Sequence, residues 1–235
     1  MASKMGLSHE AHPRPTFLSD FILGSQDGLV NVLGILLGLF AAGSSSKLIL
    51  IASLAAIAAE SISMGAVAYT STLSRLHLYE AEVEKELREM REVPELEREE
   101  IRVILRKWGY EGEEIEEMLG RIEAKPKAWL DLMMAFELNL AEVTPEQPRN
   151  SGLVVLAATV IGSLVPLLPL LVLRTASLPM AIAAVVLSGA TLFGIGAYEA
   201  RITDGYLWKS GPRMLAIGLG AGFAGFLVGH FVGAF

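Results

Sequence analysis

The 235-residue chain has no cysteine, four histidines, three asparagines and two glutamines. The missing thiols exclude a disulfide framework, a zinc ribbon, a thiol nucleophile, a thiolate-held iron–sulfur cluster and an attached c-type haem. Charge is also scarce. Only 19% of residues are charged against 52% apolar, and the mean hydropathy of +0.48 is too high for a soluble protein of this size. There is no basic surplus, the net charge being −7, so the chain lacks the basic face that nucleic acid requires. Nor are there alternating ten-residue segments of the kind that build a membrane barrel.

Five stretches are long enough to cross a hydrocarbon core, which takes roughly 20 apolar residues as a helix. They run from Phe17 to Ala42, Lys47 to Ser74, Leu153 to Leu173, Pro179 to Tyr198 and Met214 to Phe235. Backbone polar groups find no water partner in lipid, so helices are predicted throughout. The remaining long segment is polar. Residues 75–150 hold 20 of the 26 acidic and 12 of the 19 basic residues, a local balance of −8 against +1 for the rest of the chain. Such a segment attracts cations, most simply small metal ions. The predicted organisation is a leader over 1–16, spans one and two over 17–74, an acidic helical domain over 75–149 and spans three to five over 150–235.

An odd number of spans puts the leader, the acidic segment and the 200–212 loop on one side with 17 of the 19 lysines and arginines, leaving Lys47 and Arg174 opposite. That side is predicted to be cytoplasmic. The leader has no small-residue cleavage site and is expected to be retained. Within the acidic segment, helices are predicted over Leu76–Arg91 (continuing the second span), Glu95–Trp108, Gly112–Glu123 and Lys127–Glu142, with Pro94 and Pro126 as stops.

A carboxylate stranded inside a span costs on the order of 2.5–3.5 kcal/mol on insertion scales, which makes it a functional candidate. Asp20 and Asp27 lie seven residues apart in the first span, on one helical face, and Asn31 continues that stripe one turn deeper. In the second span Glu60 and Met64 again share a face. Carboxylate with thioether suits a first-row divalent ion better than magnesium or calcium, which prefer oxygen alone. Structural readings compete: Asp20 as an interfacial cap, Met64 as packing, Glu60 as a protonated packing residue and His230 as a structural residue of the fifth span. In the acidic segment Glu86 with Glu89, and Glu97 with Glu100, are i, i+3 pairs that can present two carboxylates to one point, and Met133, Met134 and Glu137 could close the site. Solvated acidic faces contain the same spacing by chance. No Glu-x-x-His pair occurs in these helices, which disfavours di-iron oxidase chemistry, and an enzyme is not expected. Four Gly-x-x-x-Gly pairs, beginning at Gly24, Gly34, Gly218 and Gly225, give spans one and five small-residue faces. Such faces pack either within one chain or between two copies; the second is expected here and would bring the Asp27 stripe to its symmetry mate.

Three strings make the chain similar to a known family. Asp20-Phe-Ile-Leu-Gly-Ser-Gln-Asp27-Gly-Leu, Ile62-Ser-Met64-Gly and Ala128-Trp-Leu-Asp-Leu-Met133-Met134-Ala-Phe-Glu137-Leu resemble the vacuolar iron transporter family, over nearly the whole chain. The resemblance implies an all-α homodimeric antiporter. It would have five transmembrane helices and a cytoplasmic helical metal-binding domain inserted between the second and third, and would move Fe²⁺ out of the cytosol against protons. Mn²⁺, Co²⁺ and Zn²⁺ are further candidate ions. It places Asp27 and Met64 in the transport path and Glu86, Glu89, Glu97, Glu100, Met133, Met134 and Glu137 in the metal-binding domain. An acid implied two turns before Met64 is Ala56 here, so a role for Glu60 rests on its position. The alternative is a membrane-anchored divalent-metal buffer or sensor without transport. Scarce Asn and Gln with abundant Glu and Arg resemble thermophile usage, which favours a prokaryotic cell membrane over a vacuole.

Overall fold

The computed structural model describes residues 15–202 and 206–233, with side chains from Phe17 onward. The predicted leader lies outside the described residues apart from its last two, which already belong to the first helix. Eight α-helices and one π-helical turn are described: α1 (Pro15–Ala41), α2 (Ser46–Glu92), α3 (Pro94–Lys107), α4 (Glu113–Glu123), α5 (Pro126–Leu132), the π turn (Met133–Glu137), α6 (Gln147–Leu173), α7 (Leu178–Ile202) and α8 (Leu207–Gly233). Five of them, α1, α2, α6, α7 and α8, are long and apolar enough to cross a membrane. The chain divides into two compact units, one formed by residues 1–69 with 149–235 and the other by 70–148. The long α2 contributes to both.

In the first unit the core joins Val32, Leu33, Leu36 and Leu37 of α1, Ile49 and Ile57 of α2, Leu167 and Leu170 of α6, and Met180, Ala181 and Ala184 of α7. Lipid is as apolar as these side chains, so close packing does the holding. The small-residue faces supply it within the chain. A Cβ on Gly24 would meet the Val155 carbonyl oxygen at 2.5 Å, one on Gly28 the Thr159 carbonyl at 2.4 Å, and one on Gly225 the Gly34 carbonyl at 2.4 Å. Gly24 and Gly28 thus admit α6, and Gly34 and Gly38 admit α8. Of the two uses open to these faces, the structure shows the one within a chain, where glycine lets two backbones touch.

α6 and α8 start about two turns before their predicted spans, since polar residues at an apolar boundary still form helix. Pro212 lies inside α8.

In the second unit α3 begins with Pro94 at its first turn, has Glu95 and Glu97 there and Arg106 and Lys107 in its last turn, matching the helix dipole at both ends. α4 repeats the acidic start with Glu113, Glu114 and Glu116. Ile101 and Leu105 of α3, Ile115 and Leu119 of α4, Trp129 of α5 and Met133 form the core. Outside it, Arg98 pairs with Glu95 and Glu123, Arg102 pairs with Glu99 and Glu116, and Arg106 pairs with Glu99. The helix predicted to reach Glu142 stops earlier. Leu138 N–H donates to the Met133 carbonyl (3.1 Å) and Leu140 N–H to the Met134 carbonyl (2.9 Å), and Asn139 turns left-handed at φ 53°. Asparagine tolerates that conformation and ends the helical run.

Candidate metal sites

The second unit brings carboxylates together from successive helices. Ligand oxygens of Glu86 and Glu89 on α2 and Glu97 on α3 all lie within 4.8 Å of one another. Glu86 and Glu97 are 1% and 2% exposed, and an oxygen of each, Oε2, has no hydrogen-bond partner among the described residues. Unpaired buried acceptors of this kind are costly unless something else satisfies them. Glu97 is on the buried face of α3 with Ile101, Ile104 and Leu105, so the amphipathic pattern of that helix turns a carboxylate inward.

The electrostatics follow from crowding. Desolvation first, then the charge of Glu86, pushes Glu97 up to about 8. Glu86 is raised by desolvation and by Glu89, and Glu100 by the same two causes. Desolvation, then Glu100 and Glu86, lifts Glu137 to about 7, although much of its side chain is open to solvent. Glu100 and Glu137 therefore stand within electrostatic reach of the three-carboxylate cluster. Met133, expected as a ligand, is packed among Ile101, Leu105 and Trp129 in the core; Met134 is also buried. Oxygen ligands able to move closer fit a hard or borderline divalent ion, and the orphaned Glu86 and Glu97 oxygens are free to bind it.

Two residues of this neighbourhood escape the i, i+3 reading of the glutamates alone. Lys85 Nζ lies 3.7 Å from both Glu82 Oε2 and Glu89 Oε2. The Glu82-x-x-Lys85-x-x-x-Glu89 spacing on one helix was the available signal.

In the first unit Asp27 and Asn31 line an open groove of about 820 Å³, with Gly34, Ile35 and Gly38 further along α1, Ala52 of α2 and Gly225 of α8. The groove is mostly apolar. Asp27 is exposed on this single chain, as is Asn31. Glu60 of α2 has both within interaction range, while its own Oε2 is buried and, among the described residues, without a hydrogen-bond partner. The structure thus joins Asp27, Asn31 and Glu60 across two helices. Met64 lies one turn beyond Glu60, half-buried, and Asp20 is half-buried two turns before Asp27. His230 stacks on Phe226 with ring centroids 6.2 Å apart, an aromatic packing role.

Residues 18–230 match the profile of the VIT family. Vacuolar iron transporter 1 of Oryza sativa subsp. japonica is 36% identical over 216 residues, 90% of this chain and 85% of its own length. Vacuolar iron transporter 1 of Arabidopsis thaliana is 33% identical over 213 residues, 91% of this chain and 85% of its own. Protein CCC1 of Saccharomyces cerevisiae is 26% identical over 193 residues, 81% of this chain and 59% of its own.

Proposed function

The chain belongs to the VIT family, and from that membership we propose that it is an iron transporter, carrying Fe²⁺ out of the cytosol in exchange for protons. The names of its relatives support iron as cargo. The observation that carries the reading is the place of Asp27, a carboxylate within an apolar span that opens onto a groove and has Glu60 and Asn31 beside it. A carboxylate can hold a proton or a metal ion but not both on the same lone pairs. Protonation from the far side of the membrane ejects the metal, and deprotonation on the cytosolic side readies the site. Asn31 adds a neutral oxygen, and the thioether of Met64, one turn along α2, tilts preference toward iron and away from magnesium or calcium.

The acidic unit, on the cytosolic side by the distribution of lysine and arginine, collects divalent ions through Glu86, Glu89, Glu97, Glu100 and Glu137, with Met134 and Met133 as softer neighbours. Its charge raises the local cation concentration. The working unit is a homodimer. The groove is open on a single chain, and a second copy across a two-fold axis closes it over Asp27. The ion leaves to the cell exterior or a vacuolar lumen.

The test is Fe²⁺ uptake into proteoliposomes under opposed pH gradients, with Mn²⁺, Co²⁺ and Zn²⁺ compared. Wild-type flux should follow the proton gradient, and Asp27→Asn should abolish it while metal binding by the acidic unit persists. Full proton-coupled flux in Asp27→Asn would overturn the assignment. Binding without flux in the wild type would make the chain a membrane-anchored buffer.

A further inference from the structure

Lys85 stands among carboxylates on the second half of α2. Its Nζ is 3.7 Å from Glu82 Oε2, one turn before it, and 3.7 Å from Glu89 Oε2, one turn after. A direct ammonium–carboxylate hydrogen bond runs at about 2.7–2.9 Å, so the contact is charge attraction without a close bond to either partner. The Lys85 side chain is 47% exposed, and ion pairs in that setting are screened and weak. Glu89 is also one of the three glutamates whose oxygens converge, and the buried Glu82 Oε2 has no hydrogen-bond partner among the described residues. Arg98, Arg102 and Arg106 are engaged by other carboxylates, Glu95, Glu99, Glu116 and Glu123. Lys85 offsets the charge felt by Glu86, Glu100 and Glu137.

We propose that Lys85 is a built-in competitor for the glutamate cluster: its ammonium shares Glu82 and Glu89 in the metal-free protein and is displaced from Glu89 when a divalent cation binds. The inference rests on reading Glu86, Glu89 and Glu97 as the collecting site. Without a counter-charge these carboxylates would repel one another and hold any divalent ion tightly. An ammonium on a flexible four-carbon stem relieves the repulsion and can swing into solvent without moving the backbone. A doubly charged ion that bonds directly to oxygen wins the exchange, but against a resisting charge. The cluster then binds its cargo less tightly and lets it go faster, as a collecting site that must hand ions on requires.

The experiment uses the purified full-length protein in detergent with Mn²⁺ as the probe. Lys85→Gln should bind Mn²⁺ about fivefold more tightly, the effect of removing two exposed ion pairs of ordinary strength, whereas Lys85→Arg should stay near the wild-type Kd. Acetylation of the Lys85 amine, read by mass spectrometry, should rise when Mn²⁺ saturates the protein. An unchanged or weaker Kd in Lys85→Gln, or protection of the amine by Mn²⁺, overturns the proposal. Glu97→Gln separates the two readings. If it removes Mn²⁺ binding while Lys85→Gln keeps the wild-type Kd, the role of Lys85 alone fails; if it leaves binding intact, the collecting-site reading fails and takes Lys85 with it.

Discussion

Gly229 of α8 lies so near Gly38 of α1 that a Cβ on it would fall 1.8 Å from the Gly38 carbonyl oxygen. One turn earlier, Gly225 stands against Gly34 in the same way, at 2.4 Å. The seam between α1 and α8 is therefore backbone on backbone, and Gly34, Gly38, Gly225 and Gly229 all line the groove that holds Asp27. Gly229→Ala should push the helices apart and lower stability by about 1–3 kcal/mol. At Gly220 nothing among the described residues lies within 4 Å of an added Cβ, so Gly220→Ala should change stability by less than about 0.5 kcal/mol. Thermal unfolding of both variants in detergent checks this, and equal losses would refute the packing argument.

Glu60 should matter for transport, because it has Asn31 and Asp27 within range. Glu60→Gln is expected to lower Fe²⁺ flux in proteoliposomes about tenfold, the low end of what altered ligand support costs at metal sites. Mn²⁺ binding by the acidic unit should not change. Unaltered flux would remove Glu60 from the path.

The raised glutamates set a pH window for the metal-free protein. The Glu97 carboxyl ordinarily titrates at 4.5 and is pushed up to about 8 in the fold. Between those values the folded chain holds a proton that the unfolded chain has released, so the stability this carboxyl contributes is full below 4.5 and is lost as pH rises toward 8. Glu86 and Glu100 shift in the same direction. Protection factors of α3 amides, with the intrinsic base-catalysed rise in exchange divided out, should fall across this window in the metal-free protein, and Glu97→Gln should flatten the dependence.

The same protons must leave when metal binds. Mn²⁺ affinity should therefore climb with pH and level off above about 8, where Glu97 is already ionised. Calorimetry in buffers of different ionisation enthalpy should show more protons released per ion at pH 6.5 than at pH 8.5. Equal release at the two values would contradict the crowded, protonated cluster.

The clasp between α3 and α4 should contribute little. Arg102 Nε donates to Glu116 Oε1 at 2.8 Å with Arg102 22% and Glu116 60% exposed. Arg102→Ala should cost no more than about 1 kcal/mol, and concentrated salt should shrink the difference in melting temperature.

Much of this was legible from residue order. Long apolar runs announced five helices, and Pro94 and Pro126, read as stops, are themselves the first residues of α3 and α5, because proline ends the preceding helix yet suits a first turn. The i, i+3 glutamates announced a place where carboxylates could gather. Which of them turned inward was not visible: Glu86 and Glu97 are buried while Glu89 and Glu100 are only partly covered. That difference comes from packing between helices. The contact of Glu60 with Asp27 and Asn31 joins separate helices, which sequence spacing cannot place. Hydropathy marks the hydrocarbon and not the ends of helices, so α6 and α8 ran longer than predicted.

The π turn at Met133–Glu137 has a consequence for how this protein can vary. Such a turn carries one residue more than an α-helical turn, and each helical residue rotates the chain by roughly 100°. Deleting Ala135 would remove that extra residue and let the backbone settle into ordinary helix with Glu137 near its present bearing, whereas a residue added to the flanking α-helix would rotate Glu137 away from its acidic neighbours while Trp129 stayed anchored. Substitutions in this stretch can be conservative. The addition of a single amino acid cannot.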